Sequence, residues 1–195
     1  MAANPQHKII IITAPSGAGK TTITRHLLKK FPDQLSFSVS ATTRPKRNHE
    51  KEGVDYYFMN VKEFKVRIRR NAFVEWEEVY MGKFYGTLKR EIRRIWKENK
   101  IPLLDVDVSG ALHVEQQEPE NTLTIFVEPP SVDELRKRLE SRGTETAESI
   151  HARVSKATYE LSFAHRFDKK VINKNLEKAC KDTEKIVRKF LSNTL

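Results

Sequence analysis

The sequence has a single cysteine, Cys180, among 195 residues, so no disulfide can form within the chain. Glycine is scarce as well, with 7 residues, which excludes a collagen-like protein. Long apolar runs are missing: near the start the longest covers residues 9–12, far short of the roughly 20 residues of a membrane span. We therefore expect a soluble cytoplasmic protein without membrane contact, folded as one domain with a small insertion.

Basic residues outnumber acidic ones. Lys and Arg number 36 against 26 Asp and Glu, which gives a formal net charge of +10. Such an excess is typical of nucleic-acid-binding proteins, but it equally suits phosphorylated small molecules or a solvated surface. The basic residues are dispersed and match no common nucleic-acid-binding motif, so we expect no nucleic-acid partner. Retention on heparin, with and without competing nucleotide, would separate these alternatives.

Short apolar runs alternate with longer helical patterns. Runs with strand character occupy residues 8–13, 35–40, 101–106, 123–127 and 169–173. Helical patterns occupy residues 21–31, 108–117, 131–141, 147–164 and 176–191. This alternation predicts an α/β fold in which right-handed crossovers build a parallel five-stranded sheet flanked by helices.

The middle of the chain breaks this rhythm. Between residues 41 and 99, aromatic-rich pieces surround two basic helical patterns. We expect a mixed α+β subdomain there, inserted between core strands. A polar connection containing Gly143 precedes a further helix and predicts a small lid. The predicted boundaries are 1–40, 100–140 and 165–195 for the core, 41–99 for the insertion and 141–164 for the lid.

A phosphate-loop motif follows the first predicted strand and precedes a helix, as such a motif requires. Glycines let backbone N–H groups turn toward phosphate oxygens, Lys20 reaches the β- and γ-phosphates, and the Thr21 hydroxyl can ligate Mg²⁺. The motif departs from the usual pattern in having Ala14 where glycine is common. The alternative is a strand–helix turn that binds nothing. The predicted ATP-binding residues are Ala14, Pro15, Ser16, Gly17, Ala18, Gly19, Lys20, Thr21 and Thr22.

Two arginines, Arg44 and Arg47, follow the second predicted strand. Arginine pairs suit a phosphate clamp because each guanidinium can donate two parallel hydrogen bonds. Tyr56 and Tyr85 can add hydroxyl donors. This arrangement predicts a second phosphate site, for an acceptor.

Together these segments resemble the guanylate kinase family over essentially the whole chain. The resemblance rests on the phosphate loop and on residues 40–47, 53–58, 75–76, 85–87, 104–107, 129–131 and 138–144. It implies the fold of a phosphate-loop nucleoside monophosphate kinase, with a GMP-binding insertion and a lid. It also implies Mg²⁺-dependent phosphoryl transfer from ATP to GMP or dGMP, by a monomer or a homodimer.

The resemblance implies roles for residues of the acceptor site. The positions of Ser40, Glu75 and Thr87 contact guanine in this family, and those of Arg44, Arg47, Tyr56 and Tyr85 hold the GMP phosphate. Gly86 and Asp105 complete the expected GMP site. Asp105 and Asp107 both end a core strand, where open sheets bind ligands. One should orient Mg²⁺ and the other support the acceptor pocket; we assign Asp107, with Thr21, to the metal, and the reverse stays open.

The hydrogen-bonding edge of guanine also favours Glu75 as the residue that recognises the base. Guanine presents N1–H and N2–H₂ on one edge, and a carboxylate accepts from both. Adenine has an acceptor at N1, which would leave the buried charge unpaired, and such mismatches discriminate by roughly 10⁴-fold or more. The alternative is an exposed strand residue beside Trp76, as isolated charges usually are.

Three further arginines are candidates for stabilising the negative charge of the transferred phosphoryl group. Arg138 and Arg142 lie four residues apart on a predicted helix and therefore on one face, and Arg153 follows the Gly143 connection. The resemblance places them in the lid, where they would stabilise transition-state charge together with Lys20 and Arg44. A solvated basic helix is the alternative.

A different class of function is an inactive guanylate-kinase-like module that binds phosphorylated peptides. Such modules usually have degraded phosphate loops, whereas Gly17, Gly19, Lys20 and Thr21 are intact here. The intact loop favours the enzyme.

Overall fold

A computed structural model describes residues 8–117, 121–141 and 146–192. Its strands are β1 (Ile9–Thr13), β2 (Leu35–Phe37), β3 (Ala41–Thr42), β4 (Tyr57–Phe58), β5 (Phe73–Tyr80), β6 (Lys83–Leu88), β7 (Ile101–Asp105), β8 (Thr122–Glu128) and β9 (Lys169–Ile172). Its helices are α1 (Lys20–Lys30), α2 (Val61–Arg69), α3 (Lys89–Lys97), α4 (Val108–Gln117), α5 (Val132–Glu140), α6 (Ala147–Leu161) and α7 (Leu176–Ser192).

The core sheet has five parallel strands in the order β2-β7-β1-β8-β9. The predicted α/β fold with this sheet is confirmed. β1 is buried along its whole length, as its unbroken run of isoleucines predicts. β2 ends at Phe37, three residues before the predicted end at residue 40. The difference arises because Ser38 N makes the last bond to this sheet, 3.0 Å from Leu103 O, before the chain turns toward a second sheet.

Helices cover both faces of the core sheet. Ile10 and Ile12 of β1 pack with apolar residues of α1, α5, α6 and α7. Ile9 and Ile11 point the other way and pack with residues of α3 and α4, because side chains alternate along a strand. Within the described residues, no helix is both long and apolar enough to cross a membrane.

The second sheet has four strands in the order β4-β3-β6-β5, all between residues 41 and 88. β3 pairs with β6 and β5 with β6 in antiparallel fashion, whereas β3 and β4 are parallel. α2 packs on this sheet through Phe64, whose ring stacks on that of Phe73. We call it the acceptor sheet.

Candidate active site

The turn between β1 and α1 forms a concave surface of backbone. Gly17 and Gly19 have φ of 95° and 98°, a left-handed conformation that glycine adopts without strain. A Cβ atom on Gly19 would also clash with the side-chain amide of Asn173. That amide donates to Ala18 O at 2.7 Å and fixes the turn from behind. The predicted phosphate loop therefore has the geometry that anion binding requires.

A cavity of about 350 Å³ opens over this loop. We call it the phosphate cavity. Its lining includes eight of the nine residues predicted to bind ATP; the exception is Ala18, which is buried beneath the loop. Tyr56, Asp107, Arg153 and Lys156 approach from other elements. The loop and six residues from elsewhere in the chain, Val79 and Glu160 among them, therefore surround one space.

Lys20 lies at the inner end of the phosphate cavity. Its Nζ is 2.8 Å from Asp105 Oδ1 and donates to Val106 O at 2.9 Å. Burial alone would lower the pKa of Lys20, but Asp105, with smaller effects from Asp107 and Glu160, outweighs burial and raises the pKa. The ammonium is therefore held charged beside the loop.

The predicted arginines of the lid are placed differently from one another. Arg153 reaches the phosphate loop, where its Nη1 donates to Ser16 Oγ at 2.7 Å. Arg138 pairs with Glu134 at 3.2 Å and donates to Asn173 O at 3.0 Å, so it lies beside the loop and does not line the phosphate cavity. Arg142 and Gly143 fall outside the described residues.

A second cavity, of about 180 Å³, lies between the acceptor sheet and the end of β7. We call it the acceptor cavity. Six residues predicted for GMP binding line it: Ser40, Tyr56, Glu75, Tyr85, Gly86 and Asp105. Lys20 and Asp107 line it too, so it adjoins the phosphate cavity.

Glu75 projects from β5 and is only 6% exposed, which argues against the alternative of an exposed strand residue. Thr87, opposite it on β6, donates its hydroxyl hydrogen to Glu75 Oε1 at 2.6 Å. Burial raises the pKa of Glu75 to about 7, against the lowering effect of the Thr87 hydrogen bond. A Cβ atom on Gly110 would lie 2.8 Å from Oε2, so the glycine leaves room for that oxygen. Glu75 is a buried acceptor with one hydrogen bond already formed.

The arginine clamp has a partner that sequence reasoning missed. Glu50, 7% exposed, accepts from Arg44 Nη1 at 2.7 Å and also from Nη2, and it accepts from Arg47 N at 2.8 Å. The hydrogen bond from Arg44 lowers the pKa of Glu50 to about 2. The Arg44 guanidinium lies 4.8 Å from the centre of the Tyr56 ring, which itself packs edge-on against Tyr85. Glu50 and Tyr56 together fix the orientation of Arg44.

The two aspartates occupy distinct positions. Asp105 ends β7 and pairs with Lys20. Asp107 accepts from Gly110 N at 3.0 Å through one oxygen, and its other oxygen is 3.5 Å from Lys156 Nζ. Asp107 and Thr21 both line the phosphate cavity. Their oxygens are the ligand type that Mg²⁺ prefers, so these residues fit the metal.

Comparison with known proteins places this geometry in a family. The model of the guanylate kinase family matches residues 6–190. The chain belongs to the guanylate kinase family. A guanylate kinase of Bacteroides fragilis is 47% identical over 184 residues, which are 94% of this chain and 90% of that protein. A guanylate kinase of Thermotoga maritima is 45% identical over 181 residues, 93% of this chain and 86% of that protein.

A solved structure agrees. The crystal structure of guanylate kinase from Anaplasma phagocytophilum matches with a TM-score of 0.75 and 30% sequence identity, over 96% of this chain and 86% of that one. The resemblance to guanylate kinases, the fold class and the membership of a family of nucleoside monophosphate kinases are thus confirmed. No finding supports the inactive binding module.

Proposed function

We propose that this chain transfers the γ-phosphoryl group of Mg²⁺-bound ATP to GMP, and to dGMP, which presents the same base and phosphate. The observation that carries the proposal is the junction of the phosphate and acceptor cavities, which share Lys20, Tyr56 and Asp107 in their linings. Two nucleotides bound in these cavities would bring their phosphates together at Lys20.

The donor end binds the ATP phosphates. Backbone N–H groups of the loop and the N-terminus of α1 attract phosphate oxygens, and Lys20 supplies a cation at the transferred group. Thr21 and Asp107 would hold Mg²⁺, which neutralises charge on the β- and γ-phosphates when bound. Charge neutralisation of this kind is the largest contribution expected from the donor end.

The acceptor end selects GMP. Glu75 would accept from N1–H and N2–H₂ of guanine, while Ser40 and Thr87 complete the polar edge. Arg44, Arg47, Tyr56 and Tyr85 would hold the phosphate, with Gly86 and Asp105 shaping the pocket. Because Thr87 already donates to Glu75, the carboxylate needs little reorganisation when guanine arrives.

The transfer itself needs no covalent enzyme intermediate. An oxygen of the GMP phosphate forms a bond to the γ-phosphorus as the bond to the β-γ bridging oxygen breaks, giving GDP and ADP. A phosphate dianion is already nucleophilic, so no general base is required. Positioning and charge neutralisation carry the catalysis.

The lid arginines complete the donor end. The hydrogen bond from Arg153 to Ser16 supports a role for this arginine at the phosphates. Val154 and Ala157, within the predicted lid, are buried against the core. Arg138 and Arg142 would approach the phosphates on closure.

Incubation of the purified protein with Mg-ATP and each nucleoside monophosphate in turn tests the proposal. We expect ADP production with GMP and dGMP, and little with AMP, CMP or UMP. ADP production that is no faster with GMP than without an acceptor would contradict it, and GMP binding without turnover would favour an inactive module.

A further inference from the structure

A buried carboxylate lies outside both cavities, where the two sheets join. Glu91, in the first turn of α3, is 1% exposed. The chain crosses from the core sheet to the acceptor sheet between β2 and β3 and returns through α3. Glu91 lies where these two crossings meet, and the mechanism proposed above does not use it.

Four hydrogen bonds surround the Glu91 carboxylate. Oε1 accepts from Val39 N at 3.2 Å and from Arg94 Nη2 at 2.8 Å. Oε2 accepts from the Tyr57 hydroxyl at 2.9 Å and from Arg94 Nε at 3.1 Å. Burial alone would raise the pKa of Glu91, but these donors, with Arg94 foremost, outweigh it and lower the pKa. The Glu91 carboxylate is therefore ionised and fully hydrogen-bonded. We call this carboxylate and its hydrogen-bond donors the hub.

The hub lies just beyond the end of the ladder between β3 and β6. The ladder between β3 and β6 ends at the pair Ala41–Gly86. The next residues outward are Ser40 and Thr87, two of the proposed guanine contacts, and the ladder does not fix their separation. Val39 N, one residue further, bonds to Glu91, which follows Thr87 by four residues. The carboxylate therefore ties together the two chain segments that carry Ser40 and Thr87.

The helix that carries the hub is fixed to the core. Ile92 packs in the core cluster formed with Ile9 and Ile11. The indole nitrogen of Trp96 donates to Lys8 O at 3.0 Å. Glu91 thus joins Tyr57 of the acceptor sheet, and Val39 just before that sheet, to a helix that is packed on the core.

We propose that Glu91 is a positioning residue for guanine: it holds Ser40 and Thr87 at the separation at which both meet the base edge beside Glu75. This inference rests on the proposed function. It follows that loss of the hub weakens GMP binding and leaves the donor site intact.

Calorimetric titration of GMP and of a non-hydrolysable ATP analogue, on wild type and three variants, tests this. Glu91→Gln keeps the shape and loses the charge that Arg94 and Tyr57 bind. We expect GMP affinity to fall roughly tenfold, since hydrogen bonds to a charged group are among the strong ones, with ATP-analogue affinity unchanged within about twofold. Tyr57→Phe removes one donor and should weaken GMP about threefold.

Glu98→Gln is the matched control, because it removes the exposed partner of Arg94, 2.7 Å away, without touching the hub. We expect it to change neither affinity. A folded Glu91→Gln that binds GMP like wild type, or loses both nucleotides equally, would overturn the inference. If that variant does not fold, Tyr57→Phe decides by the same criterion. Failure of the proposed function would appear instead in wild type, as absent turnover with GMP.

Discussion

The donor and acceptor ends of the site are built in opposite ways. The donor end is built mainly on one continuous stretch, residues 14–22, whose backbone and helix N-terminus are proposed to bind the phosphates. The acceptor end collects side chains from separated segments, and its central group, Glu75, is a buried carboxylate. Backbone amides recognise phosphate and ignore the base, whereas a buried carboxylate distinguishes one base edge from another. We therefore expect changes at the donor end to lower the rate for every acceptor, and changes at the base-binding part of the acceptor end to alter the choice of base.

Removing the donor cation should have the largest effect. Lys20→Ala eliminates the charge at the junction of the cavities. We expect kcat/KM to fall about 10³-fold or more for every acceptor, because transition-state charge loses its partner. Steady-state kinetics and a thermal melt would check this. Near-normal turnover by a folded variant would contradict the donor assignment.

Changing Asp105 and Asp107 separately should distinguish the residue that acts at the acceptor end from the residue that acts at the donor end. Asp107→Asn should raise the Mg²⁺ concentration needed for half-maximal rate about tenfold, as for loss of a group that holds or orients a metal. Asp105→Asn should instead raise KM for GMP and slow turnover, since it frees Lys20, without moving the Mg²⁺ requirement. Magnesium titrations of both variants decide, and the opposite pattern would exchange their roles.

Loosening the arginine clamp should weaken binding without affecting base choice. Glu50→Gln leaves Arg44 without its charged partner. We expect KM to rise about tenfold for GMP and AMP alike, because both carry the same phosphate. Glu52→Gln, exposed on the same loop, is the control and should stay within about twofold. A rise confined to GMP would link Glu50 to the base.

GMP binding should also depend on pH, weakly near neutral pH and more strongly below it. Burial raises the pKa of Glu75 to about 7 from an ordinary 4.5, and guanine needs the ionised form. GMP affinity should therefore fall as pH drops below about 7, approaching tenfold per pH unit, and Glu75→Gln should flatten the profile. Titrations between pH 5 and 8, with ATP analogue as the control, would measure this. A pH-independent GMP affinity in wild type would contradict the assignment.

Protein stability should depend on pH in the opposite direction to GMP affinity. Between pH 4.5 and about 7 the folded protein binds more protons at Glu75 than the unfolded chain does. Stability should therefore decline as pH rises through that range. Glu75→Gln should remove this part of the decline in Tm.

The same contrast explains what could be predicted from the sequence. The phosphate loop could be predicted from the sequence because its glycines, Lys20 and Thr21 are contiguous in the chain and act together there. Arg44, Tyr56 and Tyr85 were predicted as a phosphate site from their residue types, whereas Glu75 was first assigned to guanine through family resemblance. The structure brings these four residues to adjoining positions. The residue-level roles stay predictions.

Other residues gave no signal in the sequence. Glu50, Glu91 and Asn173 are buried polar groups, and an isolated glutamate in a sequence is usually exposed. Glu50 pairs with Arg44 within one loop, whereas Glu91 and Asn173 have partners in distant segments. Only the tertiary fold brings the Asn173 amide to the phosphate loop, and Val39 and Tyr57 to Glu91. A polar residue that acts by supporting another is therefore the kind that sequence reasoning misses.

The ratio of kcat/KM for GMP to that for AMP, measured in Glu75→Gln beside Arg44→Ala, tests the central claim most directly. Glu75→Gln should cost roughly 2–4 kcal/mol with GMP, the range for a broken charge-assisted pair, and little with AMP. The ratio should therefore fall by about 1.4 to 2.9 orders of magnitude, since each 1.4 kcal/mol is tenfold. Arg44→Ala should weaken both substrates and leave the ratio near that of wild type. Equal losses of GMP and AMP turnover in Glu75→Gln would contradict the claim that this buried carboxylate reads the base.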